Sequence, residues 1–296
     1  SDPAAADSDV TPEEQFYVVS KNFGDPEVEA AGWRLQVEGQ VERPLSLSLD
    51  EIKGLSATRQ YTTLECISNE IGGNLISNAL WTGIPVAEII RQAGAKPEAG
   101  YFMTYAADGY TETMPLSEAM RDEVLLVYEL NGKPLSRKHG FPLRLIYPGH
   151  YGMKMTKWIT KIELTKVNQP GYWSERGWDE TATVLTMSKI NYPERGSDVP
   201  AGDIAVRGVA FAGDRGISKV ELSVDDQETW AEAELKPSLS QYSWSLWTWT
   251  WRNPEMGFQR IWVRAVDGEG TLQDKQESPT FPIGATGYAS VLVRVV

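Results

Sequence analysis

The 296 residues contain one thiol and two imidazoles. They are Cys66, His139 and His150. A single thiol closes no intramolecular disulfide, so Cys66 is either an inert buried side chain or a reactive one. A cysteine hydrolase would pair it with His139 or His150 as base. A zinc site would need about four ligands, or three and a water, and no close-spaced ligand pair exists. The third chemistry is a metal that arrives with most of its ligands attached, for which one soft thiolate is a sufficient anchor. Cys66 stands where an apolar, strand-like run, "YTTLEC", gives way to the polar "ISNEIGGN". That setting suits a thiol at a strand end rather than one inside a core.

A second stretch, Lys138 to Trp158, reads "KHGFPLRLIYPGHYGMKMTKW". It concentrates Lys138, His139, Arg144, His150, Lys154 and Lys157 in a chain whose formal net charge is -13. Glycines beside arginine and lysine offer backbone N–H groups and cations to a phosphate or another anion. The overall acidity argues against nucleic acid as a partner. It suits a basic protein partner.

These residues need elements to hold them. From Phe16 to about Lys166 short strands and short helices alternate. "WRLQVEG" and "YTTLECIS" read as strands, "SLSLDEIKGL" as a strand and then a short helix capped by Asp50, and "IPVAEIIRQAG" as a helix stopped by Gly94. "NGKPL" reads as a turn. The expectation is an α+β domain. From about Ile204 nearly every segment is strand-like, with turns at "DDQ", "NPEMG" and "DGEG". This predicts an all-β sandwich of immunoglobulin type. In "SWSLWTWTW" the alternation predicts one buried face. The division expected is a flexible tail or linker over 1–13, a catalytic domain over 14–178 and the sandwich over 179–296. No run of about 18 apolar residues is long enough to span a membrane as a helix.

Four segments resemble the sulfite-oxidase family of molybdopterin-dependent oxidoreductases. They are "FYVVSKNF", "LECISNEIGGNLISNALWTGIPVAEII", "HGFPLRLIYPGHYGMKMTKWITKIEL" and "VRGVAFAGDRGISKVELSVDDQETW", in the family's order. The resemblance covers about residues 14 to 296 and is closest to bacterial members in which the unit follows a membrane anchor. It implies molybdenum held by one molybdopterin and by the Cys66 thiolate. It implies that His139, Arg144, Lys154 and Lys157, with the backbone of Gly152 and Met153, bind the pterin phosphate. Ser20, Lys21 and Asn22 on the opening segment, and Asp108 in the "ADGY" turn, are implied at the pterin or the metal pocket. Lys21 and Arg215 are candidate substrate anchors, and Tyr110 a candidate proton or hydrogen-bond donor.

The sequence departs from sulfite oxidisers at two places. Glu70-Ile71-Gly72 follows Asn69 where they carry an arginine, and Val19 stands where they carry another. The resemblance therefore leaves open oxidation by oxygen-atom transfer and reduction of S-oxides of the methionine-sulfoxide type. A non-catalytic immunoglobulin-like binding module is the reading from another class. No Cys-x-x-Cys-His haem motif is present, so electrons are expected to pass to an external partner such as a cytochrome. A homodimer formed through the second domain, and an extracytoplasmic location tethered through a segment upstream of Ser1, complete the expectations.

Overall fold

The computed structural model describes residues 8–296. Its contacts group into two units. The first comprises 12–62 and 79–182. The second comprises the described residues through Thr11, the stretch 63–78, and 183–296. The first seven residues of the expected tail lie outside the described residues. The next few are tied down. The Thr11 N–H donates to the Asn78 carbonyl at 2.7 Å, and the Asp9 carboxylate pairs with Lys236.

In the first unit the strands are β1 (Leu35–Gly39), β2 (Leu45–Leu47), β3 (Thr58–Glu65), β4 (Ile76–Pro85), β5 (Tyr101–Ala106), β6 (Thr111–Pro115), β7 (Leu125–Leu130), β8 (Lys133–Pro134), β9 (Arg144–Ile146) and β10 (Ile159–Thr165), with β3 and β4 running on past the unit's bounds. They form a sheet of order β2-β1-β10-β5-β6 and another of order β3-β4-β7-β8, with β9 paired to β7. The β1–β10 pair is parallel, Gln36 opposite Lys161. It joins the two ends of the unit's sequence.

Helices are short: α1 (Leu49–Lys53), α2 (Val86–Ala93) and α3 (Leu116–Ala119). The unit is mostly sheet, so the α+β expectation is met only loosely. Each helical pattern is one or two turns long before a strand resumes. The α1 cap is Ser48, not Asp50. The Ser48 hydroxyl accepts the Glu51 N–H while the Glu51 carboxylate accepts the Ser48 N–H, a reciprocal capping box. The α2 stop at Gly94 is as predicted, with left-handed geometry there. The "NG" turn is Asn131-Gly132, both at positive φ, joining β7 to β8.

The second unit is a pair of sheets. One has β11 (Met187–Tyr192), β13 (Ile204–Phe211), β17 (Ser245–Trp251) and β16 (Glu234–Leu235) in the order β11-β13-β17-β16. The other has β12 (Asp198–Val199), β19 (Ala289–Val295), β18 (Gly257–Asp267), β14 (Ile217–Ser223) and β15 (Ala231–Glu232) in the order β12-β19-β18-β14-β15. Val206, Val220, Trp247, Ile261, Val263 and Val293 form the centre of their shared core. On β17 the alternation holds: Ser245, Trp247 and Trp251 are buried while Thr248 and Thr250 are exposed.

Candidate functional site

The basic loop of the first unit begins with a 3-10 turn, Arg137–His139, closed by Gly140. Gly140 has φ +107°, and a Cβ there would lie 3.1 Å from the Cβ atoms of both Arg144 and Lys157. Only glycine lets these two cationic residues pack this closely behind the turn. Arg144, on β9, is 5% exposed. One of its terminal nitrogens donates to the His139 carbonyl at 3.1 Å. Its guanidinium lies over the Trp81 ring at 5.0 Å, a cation–π arrangement. Its Nε is buried and has no hydrogen-bond partner. Burial pulls its pKa down to about 10.

Lys157 donates to the Ser20 hydroxyl at 2.7 Å and to the Lys138 carbonyl at 3.1 Å. Burial and then repulsion from Arg144 pull it down to about 8, against a weaker pull from Asp25 and Asp108. The buried His139 ring faces Phe16 edge-on, and its Nε2 lies 3.4 Å from the Glu13 carbonyl. Burial, then Arg144, pulls it down to about 4, so it is neutral at pH 7. Among the described residues, none of Arg144, Lys157 and His139 forms an ion pair with a carboxylate. Two desolvated cations side by side, one with an orphaned donor, call for an anion.

Lys154 behaves differently. It follows Gly152 and Met153 in a 3-10 turn. Its ammonium is buried against Glu112, 2.7 Å away, and donates to the Glu180 carbonyl at 2.9 Å. Burial pushes the Glu112 carboxyl up, and Lys154 pulls it back. The Tyr110 hydroxyl donates to the Met153 carbonyl at 2.6 Å, holding the same turn. Beside it, the Asp108 carboxylate accepts the Tyr110 N–H at 2.9 Å. Asn22 donates to the Asp108 carbonyl at 3.5 Å. Lys21 bonds Asn22 and lies over the Tyr172 ring at 5.1 Å. The opening segment thus reaches both the "ADGY" turn, through Asn22, and Lys157, through Ser20.

In the second unit Cys66 follows β3. Its N–H donates to the Leu75 carbonyl and its carbonyl accepts the Asn69 N–H, both at 2.9 Å. The sulfur is buried, 3.0 Å from the Ser68 hydroxyl. Burial pushes the thiol up, and Ser68 partly offsets this. Asn69 braces the loop, donating to Glu65 and accepting the Leu75 N–H, each at 2.9 Å. Arg215 is held by Asp267 at 2.9 Å, the Val184 carbonyl at 3.1 Å and the Thr186 hydroxyl at 3.2 Å. Among the described residues, no group of three or more His, Cys, Asp or Glu side chains could hold a metal. Cys66 is a free, buried cysteine.

Sequence reasoning missed Glu65, Glu112, Asp267, Trp81 and Lys189. Glu65 carried a signal, an acid inside an apolar strand next to the lone cysteine. Lys189 carried none.

The oxidoreductase molybdopterin-binding domain family matches residues 22–173, and the Mo-co oxidoreductase dimerisation domain family matches residues 178–281. Mitochondrial sulfite oxidase of Drosophila melanogaster is 29% identical over 97% of this chain and 59% of its own length. The chain thus spans under two thirds of that relative. The uncharacterized oxidoreductase YuiH of Bacillus subtilis is 37% identical over 49% of this chain and 72% of its own length. Sulfite oxidase of Arabidopsis thaliana is 25% identical over 99% of this chain and 90% of its own length. The solved sulfane dehydrogenase SoxCD of Paracoccus pantotrophus superposes with a TM-score of 0.86 at 21% identity, over 99% of this chain and 83% of that one. It shares the fold.

Proposed function

The chain belongs to the sulfite-oxidase family of molybdopterin-binding oxidoreductases, and from that premise we propose that it is a molybdenum enzyme of oxygen-atom transfer, exchanging electrons with an external partner. The observation that carries the reading is buried Arg144, its Nε orphaned and with no carboxylate partner, beside the half-buried Lys157. An anionic cofactor would satisfy it. Bound there, molybdenum-molybdopterin would supply the two-electron oxygen-atom chemistry. The chain's own residues supply the mount. Arg144 and Lys157 hold the pterin phosphate, with His139 as a neutral hydrogen-bonding wall. Cys66 Sγ is the metal's protein ligand, and the Ser68 hydroxyl can donate to its thiolate form. Ser20, Lys21, Asn22 and Asp108 line the pterin.

The partners found for three residues refine their assignments. Lys154 is neutralised by Glu112, so its part is to hold the Gly152–Met153 backbone toward the cofactor. Tyr110 supports that turn through Met153. Arg215, paired with Asp267, orients the chain at Val184 and Thr186.

A second reading is reduction of a neutral S-oxide. Glu70 is exposed just after Asn69, and the basic side chain that meets the Cys66 loop, Lys189, is engaged by loop oxygens. Little uncommitted positive charge is left in that unit's loop for a sulfite dianion. A homodimer through the second unit, read as an immunoglobulin-like sandwich, and an extracytoplasmic location belong to the same proposal.

The first test is molybdenum per chain, by mass spectrometry, in protein made by a host that builds molybdopterin. About one atom per chain is expected, because the cofactor carries the chemistry. A metal-free, colourless protein from a competent host would leave a binding module. Sulfite with an oxidised acceptor, against a sulfoxide with a reduced dye, then decides the direction.

A further inference from the structure

Lys189 lies on β11, yet its ammonium leaves the strand to donate to the Gly73 carbonyl at 2.9 Å and to the Asn74 side-chain oxygen. Both acceptors belong to the stretch that follows Cys66. The residue is 8% exposed. A buried ammonium is costly unless every bond it makes is good, and burial has already pulled Lys189 down to about 8. Its electrostatic partner is Glu65, the residue before Cys66. Glu65 is 4% exposed, and its second oxygen has no hydrogen-bond partner.

The loop itself has no slack at Gly73. A Cβ there would meet Asn69 Oδ1 at 2.5 Å. That same Asn69 oxygen accepts the Leu75 N–H, and the Leu75 carbonyl accepts the Cys66 N–H. A chain of bonds therefore runs from the far side of the loop back to the cysteine. The only side-chain cation donating to the loop, among the described residues, sits at Gly73 and Asn74.

We propose that Lys189 is the positioning residue for the Cys66 thiol: its ammonium, held on a rigid strand of the sandwich, clamps the loop at Gly73 and Asn74 and so fixes where the sulfur stands. This rests on the reading of Cys66 as the metal's ligand. Lys189 touches neither metal nor substrate; it acts through the loop.

The experiment uses the full chain with Lys189→Met, Lys189→Arg and Asn74→Ala. In the metal-free protein, Cys66 alkylation by iodoacetamide is timed and compared with the thermal unfolding midpoint. In loaded protein, the sulfur-to-molybdenum charge-transfer absorption is recorded. Lys189→Met and Asn74→Ala are expected to speed alkylation by about tenfold, the loss of one charge-assisted bond, without a matching fall in the midpoint. Both should shift the absorption, and Lys189→Arg should return both readings toward wild type.

Wild-type alkylation and absorption in Lys189→Met and Asn74→Ala would overturn the proposal. So would a Lys189→Arg protein as fast as Lys189→Met, since the ammonium would then not be the active part. If Lys189→Met does not fold, Asn74→Ala decides alone, because its side chain is exposed and outside the core. The alkylation arm needs no molybdenum. A wild-type protein that never takes up metal would sink the functional reading and leave this arm standing.

Discussion

Arg144 and Lys157 differ from Lys154 in what they meet, which residue type alone does not report. Both are basic and lie near Lys154 in sequence, but only Lys154 found a carboxylate. If Arg144 holds the pterin phosphate as proposed, Arg144→Gln should lower retention of pterin on gel filtration about tenfold, the loss of one charge-assisted bond. Arg144→Lys should do little better, because an ammonium cannot keep the flat contact on Trp81. Cys66→Ala should lose most of its molybdenum on metal analysis, and full occupancy in the variant would contradict the ligand assignment.

The pH dependence follows from Lys157. Its folded value, about 8, lies below its ordinary 10.5. Without an anion the unfolded chain holds more protons between those values, so this group's share of stability is present above 10.5 and lost as pH falls through 8. An anion reverses the preference by favouring the ammonium. Inorganic pyrophosphate should therefore bind the metal-free protein most tightly below pH 8 and weaken as pH rises past it. Calorimetric titrations across that range would check this; affinity that rises with pH would contradict the role of Lys157.

At the scale of elements, the decisive device is the buried Lys154–Glu112 pair, which ties the 152–154 turn to β6. A buried pair contributes little net stability when intact, because desolvation offsets attraction, but breaking one side is expensive. Glu112→Gln should destabilise the protein by about 3 kcal/mol, lowering its unfolding midpoint by roughly 10 °C. The double change Glu112→Leu with Lys154→Met should recover most of that loss. Scanning calorimetry on the three proteins would test it. These elements also show where local reading succeeds. The α2 stop and the Asn131-Gly132 turn follow from one or two residues each. The α1 cap was misread because Ser48 and Asp50 are both good caps, and only the reciprocal bond with Glu51 selects between them.

For the whole molecule, the net charge of -13 should govern the rate of encounter with a redox partner. Turnover with a basic electron acceptor should fall about tenfold as ionic strength rises from ~10 mM to ~200 mM, as screening shortens the reach of the field. An acidic acceptor should show the opposite trend or none; stopped-flow measurements with both would decide. By itself the sequence determined the lone thiol and its setting at a strand end, the concentration of cations around Arg144, the all-strand character of the second half, and the motif order that marks the family. Those properties are local, carried by side-chain chemistry and short periodicity. Only the tertiary structure decided that Lys154 belongs to Glu112, that Arg215 belongs to Asp267, and that Lys189 reaches the loop after Cys66. Those partners lie tens to more than a hundred residues apart along the chain. Which buried charge meets which is settled by the packing of strands, and no spacing along the sequence reports it.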